Sequence, residues 1–118
     1  MVIDDLARKD LLFDFYGQLL TPRQQQIAQM YIRENLTLSE ISQELDISRQ
    51  AVHDALKIAG NSLEGYEDKL GLVKRYLHSM DAIAKIDEKI GDLMEKAKDP
   101  ALVKSMEEIK RIIDSLEE

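Results

Sequence analysis

The stretch TLSEISQELDISRQAVHDAL, residues 37–56, holds the start signals of two short helices on either side of a turn. Thr37 and Glu40 have the spacing of a capping box, in which each side chain bonds to the backbone of the other residue. Asp46 and Ile47 form the turn, and Ser48 is a residue type that caps the helix after it. Helix, short turn and capped helix are the order of a helix-turn-helix. We therefore predict this unit, with these side chains turned inward: Leu38, Ile41, Leu45, Val52 and Leu56.

Two positions depart from the usual helix-turn-helix pattern. Asp46 occupies the turn position that glycine usually holds, and Ser42 stands in place of alanine where the two helices approach closely. Aspartate tolerates the left-handed backbone conformation better than most residues do. We therefore expect the turn to form, at some energetic cost.

The helix after Ser48 separates its polar and apolar residues. At 100° per residue, one arc of about 140° holds its polar side chains, and the opposite arc is apolar. The polar set is Arg49, Gln50, His53, Asp54 and Lys57, and the apolar set is Ala51, Val52, Ala55, Leu56, Ile58 and Ala59. Two interpretations fit this division: an ordinary amphipathic helix that packs on its neighbours, or a recognition helix that enters a nucleic-acid groove.

Two helices are expected before this unit. The first spans about Asp5 to Leu20, and Thr21-Pro22 starts the second, because threonine caps helices and proline fits the first helical position. The second ends at residues 34–36. The expected apolar face of the first is Leu11, Leu12, Phe15, Leu19 and Leu20, and that of the second is Ile27, Met30 and Tyr31.

Helical spacing continues after the motif. The fourth helix runs past Gly60 and Gly65, and Gly71 is its expected end. A long amphipathic helix follows, and Asp99-Pro100 starts a last one. No strand-like alternation occurs, so the sequence predicts an all-α fold with a helix-turn-helix domain at residues 1–71 and a helical tail, residues 72–118.

The tail has two interpretations. Its two helices fold as a hairpin onto the first domain and complete one core, or the hairpin pairs with a second copy or a partner helix. The apolar residues keep near-heptad spacing for three to four heptads, which favours a homodimer. A dimer would present two recognition helices to half-sites about 34 Å apart.

Net charge opposes a strong nucleic-acid binder. The chain has 118 residues and a formal charge of −7, whereas affinity for phosphate usually comes from lysine and arginine. Residues 1–71 carry seven Lys/Arg against twelve Asp/Glu, and residues 72–118 carry nine against eleven. Within residues 36–59 the balance is −2, from two cations, Arg49 and Lys57, and four carboxylates, Glu40, Glu44, Asp46 and Asp54.

The sequence does not indicate a metal-binding protein, an enzyme, a secreted protein or a membrane protein. The chain has no cysteine, and His53 and His78 are 25 positions apart, so we expect no metal site. It has no glycine-rich phosphate loop and no grouping that indicates catalysis, so we expect neither a cofactor nor an enzyme. Early acidic residues exclude a signal peptide and a membrane span, which makes the cytoplasm the expected location.

Three segments carry a resemblance to a known family: LFDFYGQLLTPRQ (12–24), LSEISQELDISRQAVHDALK (38–57) and LEGYEDKLGL (63–72). They resemble the YlxM-like family of small bacterial helix-turn-helix proteins. Residues 19–42, LLTPRQQQIAQMYIRENLTLSEIS, resemble region four of bacterial sigma factors, where an L-T-x-R-x helix start precedes the paired helices. The resemblance implies a regulatory role in the signal recognition particle pathway, since the family's genes lie beside those of the particle.

If the helix-turn-helix binds nucleic acid, its residues have expected roles. Ser48 and the first N–H groups of the helix face a phosphate, and Arg49 and Gln50 contact base edges. His53 continues this face, and Lys57 meets the backbone. Ser39 and Arg23 are further phosphate contacts. The partner is DNA or the particle's RNA, with the particle's protein components as further partners; in the alternative, the unit is a scaffold for protein contacts and binds no nucleic acid.

Overall fold

The computed structural model describes residues 3–117, which are helical and contain no strand. The predicted all-α fold is confirmed. The described chain divides into two compact units, residues 3–74 and residues 75–117. Met1, Val2 and Glu118, at the ends of the two predicted domains, lie outside the described residues. The helices are α1 (Asp5–Tyr16), α2 (Pro22–Ala28), α3 (Leu38–Leu45), α4 (Arg49–Leu70), α5 (Leu72–Lys96) and α6 (Pro100–Leu116).

Helix α1 is shorter than predicted, and its buried face differs in part from the predicted one. It ends at Tyr16, and a 3₁₀ turn covers Gly17–Leu19. Phe15 and Leu19, predicted to be inward, are 39% and 55% exposed, whereas Phe13 and Tyr16 are buried. The tighter turn rotates each residue by 120° instead of 100°, so Leu19 faces outward while Leu20 is buried. Leu12 and Leu20 follow the prediction.

Helix α2 begins as the sequence predicts. The Thr21 hydroxyl accepts from the Gln24 amide and the Gln24 side chain accepts from the Thr21 amide, which is a second capping box. The helix then widens into a π-helical segment, Gln29–Arg33. Ile27 and Met30 are buried as predicted, but Tyr31 is 37% exposed. The inserted residue of the π turn shifts the register of the helix face, which explains the incorrect placement of Tyr31.

One apolar cluster joins α2, α3 and α4. Its buried members are Ile27, Met30, Ile41 and Val52, and Ile41 and Val52 have no exposed surface. Half-buried neighbours pack against the cluster. Burial of these side chains fixes how α4 is rotated relative to α2 and α3. The neighbours are Leu36, Leu38, Leu45, Ile47, Ala55 and Leu56.

A buried carboxylate connects α4 to α5. Gly71 ends α4 with a left-handed φ of 63°, as its predicted role requires. Glu67, 8% exposed, then accepts hydrogen bonds from the Tyr16 hydroxyl at 2.6 Å and from the amides of Val73 and Lys74, each at 3.0 Å. The Leu72 amide donates to the Tyr16 oxygen at 3.0 Å. The first three amides of α5 are therefore satisfied by side chains instead of water.

These hydrogen bonds set the ionisation of the two side chains. Burial alone would raise the pKa of Glu67, but the bonds from Tyr16 and the two amides outweigh it and lower that pKa. Burial and the adjacent carboxylate raise the pKa of Tyr16. Glu67 is therefore held as an anion and Tyr16 as a neutral donor. No local pattern indicates this pair, because 51 residues separate Tyr16 from Glu67.

Residues 75–117 form a helical hairpin made by most of α5 and by α6. Asp99 caps α6 by accepting from the Ala101 amide, as the Asp99-Pro100 signal predicts. Lys110 Nζ lies 3.3 Å from Asp87 Oδ1 and ties the helices together. Met106 and Ile113 are the buried residues of this unit among those described. Its own core is therefore small.

Candidate nucleic-acid interface

Local hydrogen bonds build the helix-turn-helix as the sequence predicts. The Thr37 hydroxyl accepts from the Glu40 amide at 3.1 Å, and the Glu40 carboxylate accepts from the Thr37 amide at 3.0 Å. The amide and hydroxyl of Thr37 lower the pKa of Glu40. Asp46 adopts the left-handed conformation, with φ 55°. The Ser48 hydroxyl accepts from the Ala51 amide at 3.0 Å and starts α4.

Helix α4 turns its apolar side to the protein core. Val52 and Ala59 are 0% and 2% exposed, and Leu56 is half-buried against the cluster. Ala51 and Ile58, both assigned to the apolar arc, are wrong as inward residues because both are exposed, Ile58 to 54%. At 100° per residue they lie about 100 to 120° from Val52, at one edge of the arc.

The opposite side of α4 is a polar surface, here called the α4 polar face: Ser48, Arg49, Gln50, His53, Asp54 and Lys57. All six residues are exposed. Gln50 Nε2 donates to Asp54 Oδ1 at 2.9 Å, and His53 Nδ1 lies 3.5 Å from the same oxygen. Asp54 is therefore held by its neighbours on the helix, and Lys57 is not among its partners.

The cations of the α4 polar face are free. Within residues 3–117, neither Arg49 nor Lys57 has a hydrogen-bond or ion-pair partner. Arg8, by contrast, holds Glu64 in a two-pronged pair at 3.0 and 2.8 Å. Arg33 pairs with Asp10 and Asp14 and stacks over the Phe13 ring. Free guanidinium and ammonium groups are available to bind phosphate or base edges, and paired ones are not.

Ser39 and Arg49, from two helices, line one open groove of about 430 Å³ beside the α4 polar face. Tyr31 and Thr37 line the same groove. The structure thus brings together two of the predicted contacts and adds an aromatic ring that the sequence analysis had placed in the core. Tyr31 is 37% exposed and shares this groove with Arg49, and aromatic and arginine side chains both stack on bases.

Arg23 is the predicted contact that no described interaction connects with this surface. It lies in the first turn of α2 and donates to the Gln26 side chain at 3.1 Å, one turn along the same helix. Its part in the site stays a prediction.

Two other kinds of site are absent from the described residues. No three His, Asp or Glu side chains of residues 3–117 are grouped closely enough to hold a metal ion. None of the helices in that range combines the length and the apolar composition that a membrane crossing needs.

Comparison with known proteins agrees with the motif. Residues 3–109 match the UPF0122 family, described as "Putative helix-turn-helix protein, YlxM / p13 like". The chain belongs to this family. The resemblance noted from residues 12–72 thus extends over most of the hairpin as well.

Curated UPF0122 proteins align with nearly the full chain. One from Thermoanaerobacter sp. (strain X514) is 49% identical over 113 residues, covering 96% of this chain and 97% of the relative. One from Caldanaerobacter subterraneus subsp. tengcongensis is 55% identical over 85 residues, 72% of this chain and 73% of the relative. One from Bacillus velezensis is 37% identical over 109 residues, covering 92% of this chain and 99% of the relative.

Proposed function

We propose that this UPF0122 protein is a non-enzymatic regulator that binds nucleic acid through the α4 polar face. The observation that carries the proposal is the pair of unpartnered cations, Arg49 and Lys57, on a helix whose other side is fixed by the buried Val52. A recognition helix needs this combination of rigid support and free polar groups. In this proposal residues 1–71 bind nucleic acid and residues 72–118 serve association.

The roles of the individual residues follow from their positions. Arg49 and Gln50 lie in the first turn, where base-edge contacts are made, and arginine suits guanine while glutamine suits adenine. Gln50 uses one N–H on Asp54 and keeps its oxygen and its second N–H for a base. Lys57, two turns further along, contacts a phosphate. Tyr31 is added to the site as a stacking residue.

Acidic residues near the site do not prevent this role. Glu40 is engaged by the amide of Thr37, and Asp54 accepts from Gln50; both keep their negative charge, so the contacts of Arg49 and Lys57 must offset their repulsion of phosphate. The net charge of −7 still limits non-specific affinity, because few counterions are released by two cations. Binding by one chain is therefore weak and specific in this proposal.

The biological setting is taken from the family resemblance. We propose a regulatory role in the signal recognition particle pathway, in the cytoplasm, with DNA or the particle's RNA as the polymer bound. The groove that Tyr31, Arg49 and Ser39 line favours RNA in this proposal, since single-stranded RNA is recognised by stacking on aromatic and arginine side chains.

Binding of the full chain to DNA duplexes and to signal recognition particle RNA tests the proposal, at about 50 to 200 mM salt. We expect Arg49→Ala and Lys57→Ala each to weaken binding about tenfold and to reduce its salt dependence. Lys69→Ala is the matched control, because Lys69 is exposed in the last turn of the same helix and should bind as the unmodified chain does. Equal loss in all three variants would show only a general charge effect.

A second candidate function is a protein-interaction module in which the helix-turn-helix is a scaffold. The balance of −2 over residues 36–59 favours it, because acidic surfaces repel phosphate. Absence of binding to either polymer, with Arg49→Ala and Lys57→Ala silent, would select this function over the first.

A further inference from the structure

A pocket of about 260 Å³ lies within residues 3–74, between α1, α2 and α4, and is here called the α1–α4 pocket. Apolar side chains that are only 1 to 3% exposed form its floor. An engineered cavity of about 150 Å³ with such a lining binds benzene, so this pocket has room for one ring and a short chain. The floor residues are Leu12, Ala28, Ala59 and Leu63.

Gly60 contributes open space to the α1–α4 pocket. It lies in the interior of α4 with an ordinary right-handed backbone, one turn from Leu56 and from Glu64, which line the same pocket. A Cβ atom added to Gly60 would meet no neighbouring group within 4 Å, so neither packing nor backbone conformation requires a glycine here. Glycine in a helix interior is less stable than alanine. The missing methyl group therefore costs stability and enlarges the pocket, which is expected where a ligand has to enter.

One cation at the rim of the α1–α4 pocket is uncompensated. Lys9 lines the pocket and is exposed, and its ammonium group has no hydrogen-bond or ion-pair partner in the described part of the chain. The carboxylate of Glu64, also at the rim, has both oxygens held by Arg8, at 3.0 and 2.8 Å. These three side chains together leave one positive charge, which complements a ligand with one negative charge.

We propose that the α1–α4 pocket binds a small carboxylic acid whose aliphatic or aromatic body has about six to nine carbon atoms. The body fills the space beside Gly60 and contacts the apolar floor, and the carboxylate accepts from the Lys9 ammonium group. A phosphate monoester fits less well, because one lysine leaves its second negative charge unpaired near Glu64.

Tyr31 belongs to both the α1–α4 pocket and the groove beside Arg49. A ligand in the pocket can therefore contact a residue of the candidate nucleic-acid interface. Control of nucleic-acid binding by the acid would rest on the proposed function. Binding of the acid does not rest on it and is measured without nucleic acid.

Titration of the isotope-labelled full chain with phenylacetate and with octanoate, followed by its backbone-amide NMR spectrum, measures affinity and locates the site. We expect saturable binding with a Kd of about 0.1 to 1 mM, as usual for ligands of this size. The largest shifts should occur at amides that line the pocket, such as those of Leu12, Gly60 and Leu63. Phenylacetamide, a neutral compound of the same shape as phenylacetate, should bind about fivefold more weakly.

Two substitutions separate the space from the charge. Gly60→Ala should weaken phenylacetate about tenfold, because the methyl group occupies space that the ring needs, and should raise the urea midpoint of unfolding. Gly65→Ala is the matched control: an added Cβ at Gly65 also meets no group within 4 Å, in the same helix but outside the pocket. It should raise the midpoint and leave binding unchanged. Lys9→Gln should weaken phenylacetate about fivefold and leave phenylacetamide unaffected.

Three results would overturn the proposal. The first is the absence of saturable binding of both acids up to about 10 mM. The second is an equal effect of Gly60→Ala and Gly65→Ala on binding, which would place the acid outside the α1–α4 pocket. The third is equal affinity for phenylacetate and phenylacetamide, which would remove the carboxylate and Lys9 from recognition.

Discussion

Replacing Glu67 with glutamine removes the negative charge at the α4–α5 connection while keeping the size of the side chain. The carboxylate accepts three hydrogen bonds, from Tyr16, Val73 and Lys74. An amide has one oxygen, so its NH₂ group must face at least one of these donors. We expect a loss of about 2 to 3 kcal/mol in the free energy of unfolding, because a bond to a charged group is lost and a buried N–H is left unpaired.

The assay is urea denaturation at neutral pH, followed by far-UV circular dichroism. Glu64→Gln is the matched control, since Glu64 lies one turn earlier on α4 and pairs with Arg8. Both side chains of that pair are more than a third exposed, so solvent screening limits its loss to under about 1 kcal/mol. If Glu67→Gln were no more destabilising than Glu64→Gln, the role given to the buried network would be wrong.

The pH dependence of the stability of the unmodified chain and of Glu67→Gln supplies a second check. The pKa of Glu67 is lower in the folded chain than its ordinary value, so between those two values the unfolded chain binds more protons. The stabilisation from Glu67 is therefore complete above the ordinary pKa of about 4.3 and is lost as the pH falls through the lowered value. The difference between the unmodified chain and Glu67→Gln should shrink below about pH 4. A difference that grows with acidity would contradict this linkage.

The remaining predictions concern the helix-turn-helix and are checked by the same urea titration. Asp46→Gly should raise the free energy of unfolding by about 1 kcal/mol, because Asp46 has a φ of 55° that costs glycine nothing. Gly71→Ala, at φ 63°, should lower the free energy of unfolding by about the same amount. If both substitutions changed the stability in the same direction, this explanation would be refuted. Val52→Ala should cost about 2 kcal/mol, since Val52 is fully buried. Ile58→Ala should cost under about 0.5 kcal/mol, because Ile58 is 54% exposed, and a larger loss would mean that the residue is covered.

Local signals in the sequence predicted the parts of the fold that local hydrogen bonds determine. Thr37 with Glu40, Ser48 and Asp99 each bond to a backbone group two or three residues away, so their spacing alone indicates the helix start. The same holds for Gly71, whose left-handed conformation is a property of one residue. The separation of polar and apolar sides on α4 was also readable, because the helix is regular from Arg49 to Leu70.

Contacts between distant segments could not be predicted in this way. Tyr16 and Glu67 read as residues of two amphipathic helices, and nothing in either helix indicates the bond between them. Two errors in the predicted faces, at Leu19 and Tyr31, arose where the backbone departs from 3.6 residues per turn, whereas Phe15 and Ile58 are exposed within regular helices. The 3₁₀ turn after Tyr16 moved Leu19 outward, and the π turn at Gln29–Arg33 did the same to Tyr31.

The displacement of Tyr31 changes how the candidate site is understood. The regular spacing of Ile27, Met30 and Tyr31 predicted that the ring lies in the core. Tyr31 lies instead in the π turn, is 37% exposed and lines the groove beside Arg49. Such turns are often found at functional sites. Stacking on a nucleic-acid base would give the Tyr31 ring the contact surface that it lacks in the core.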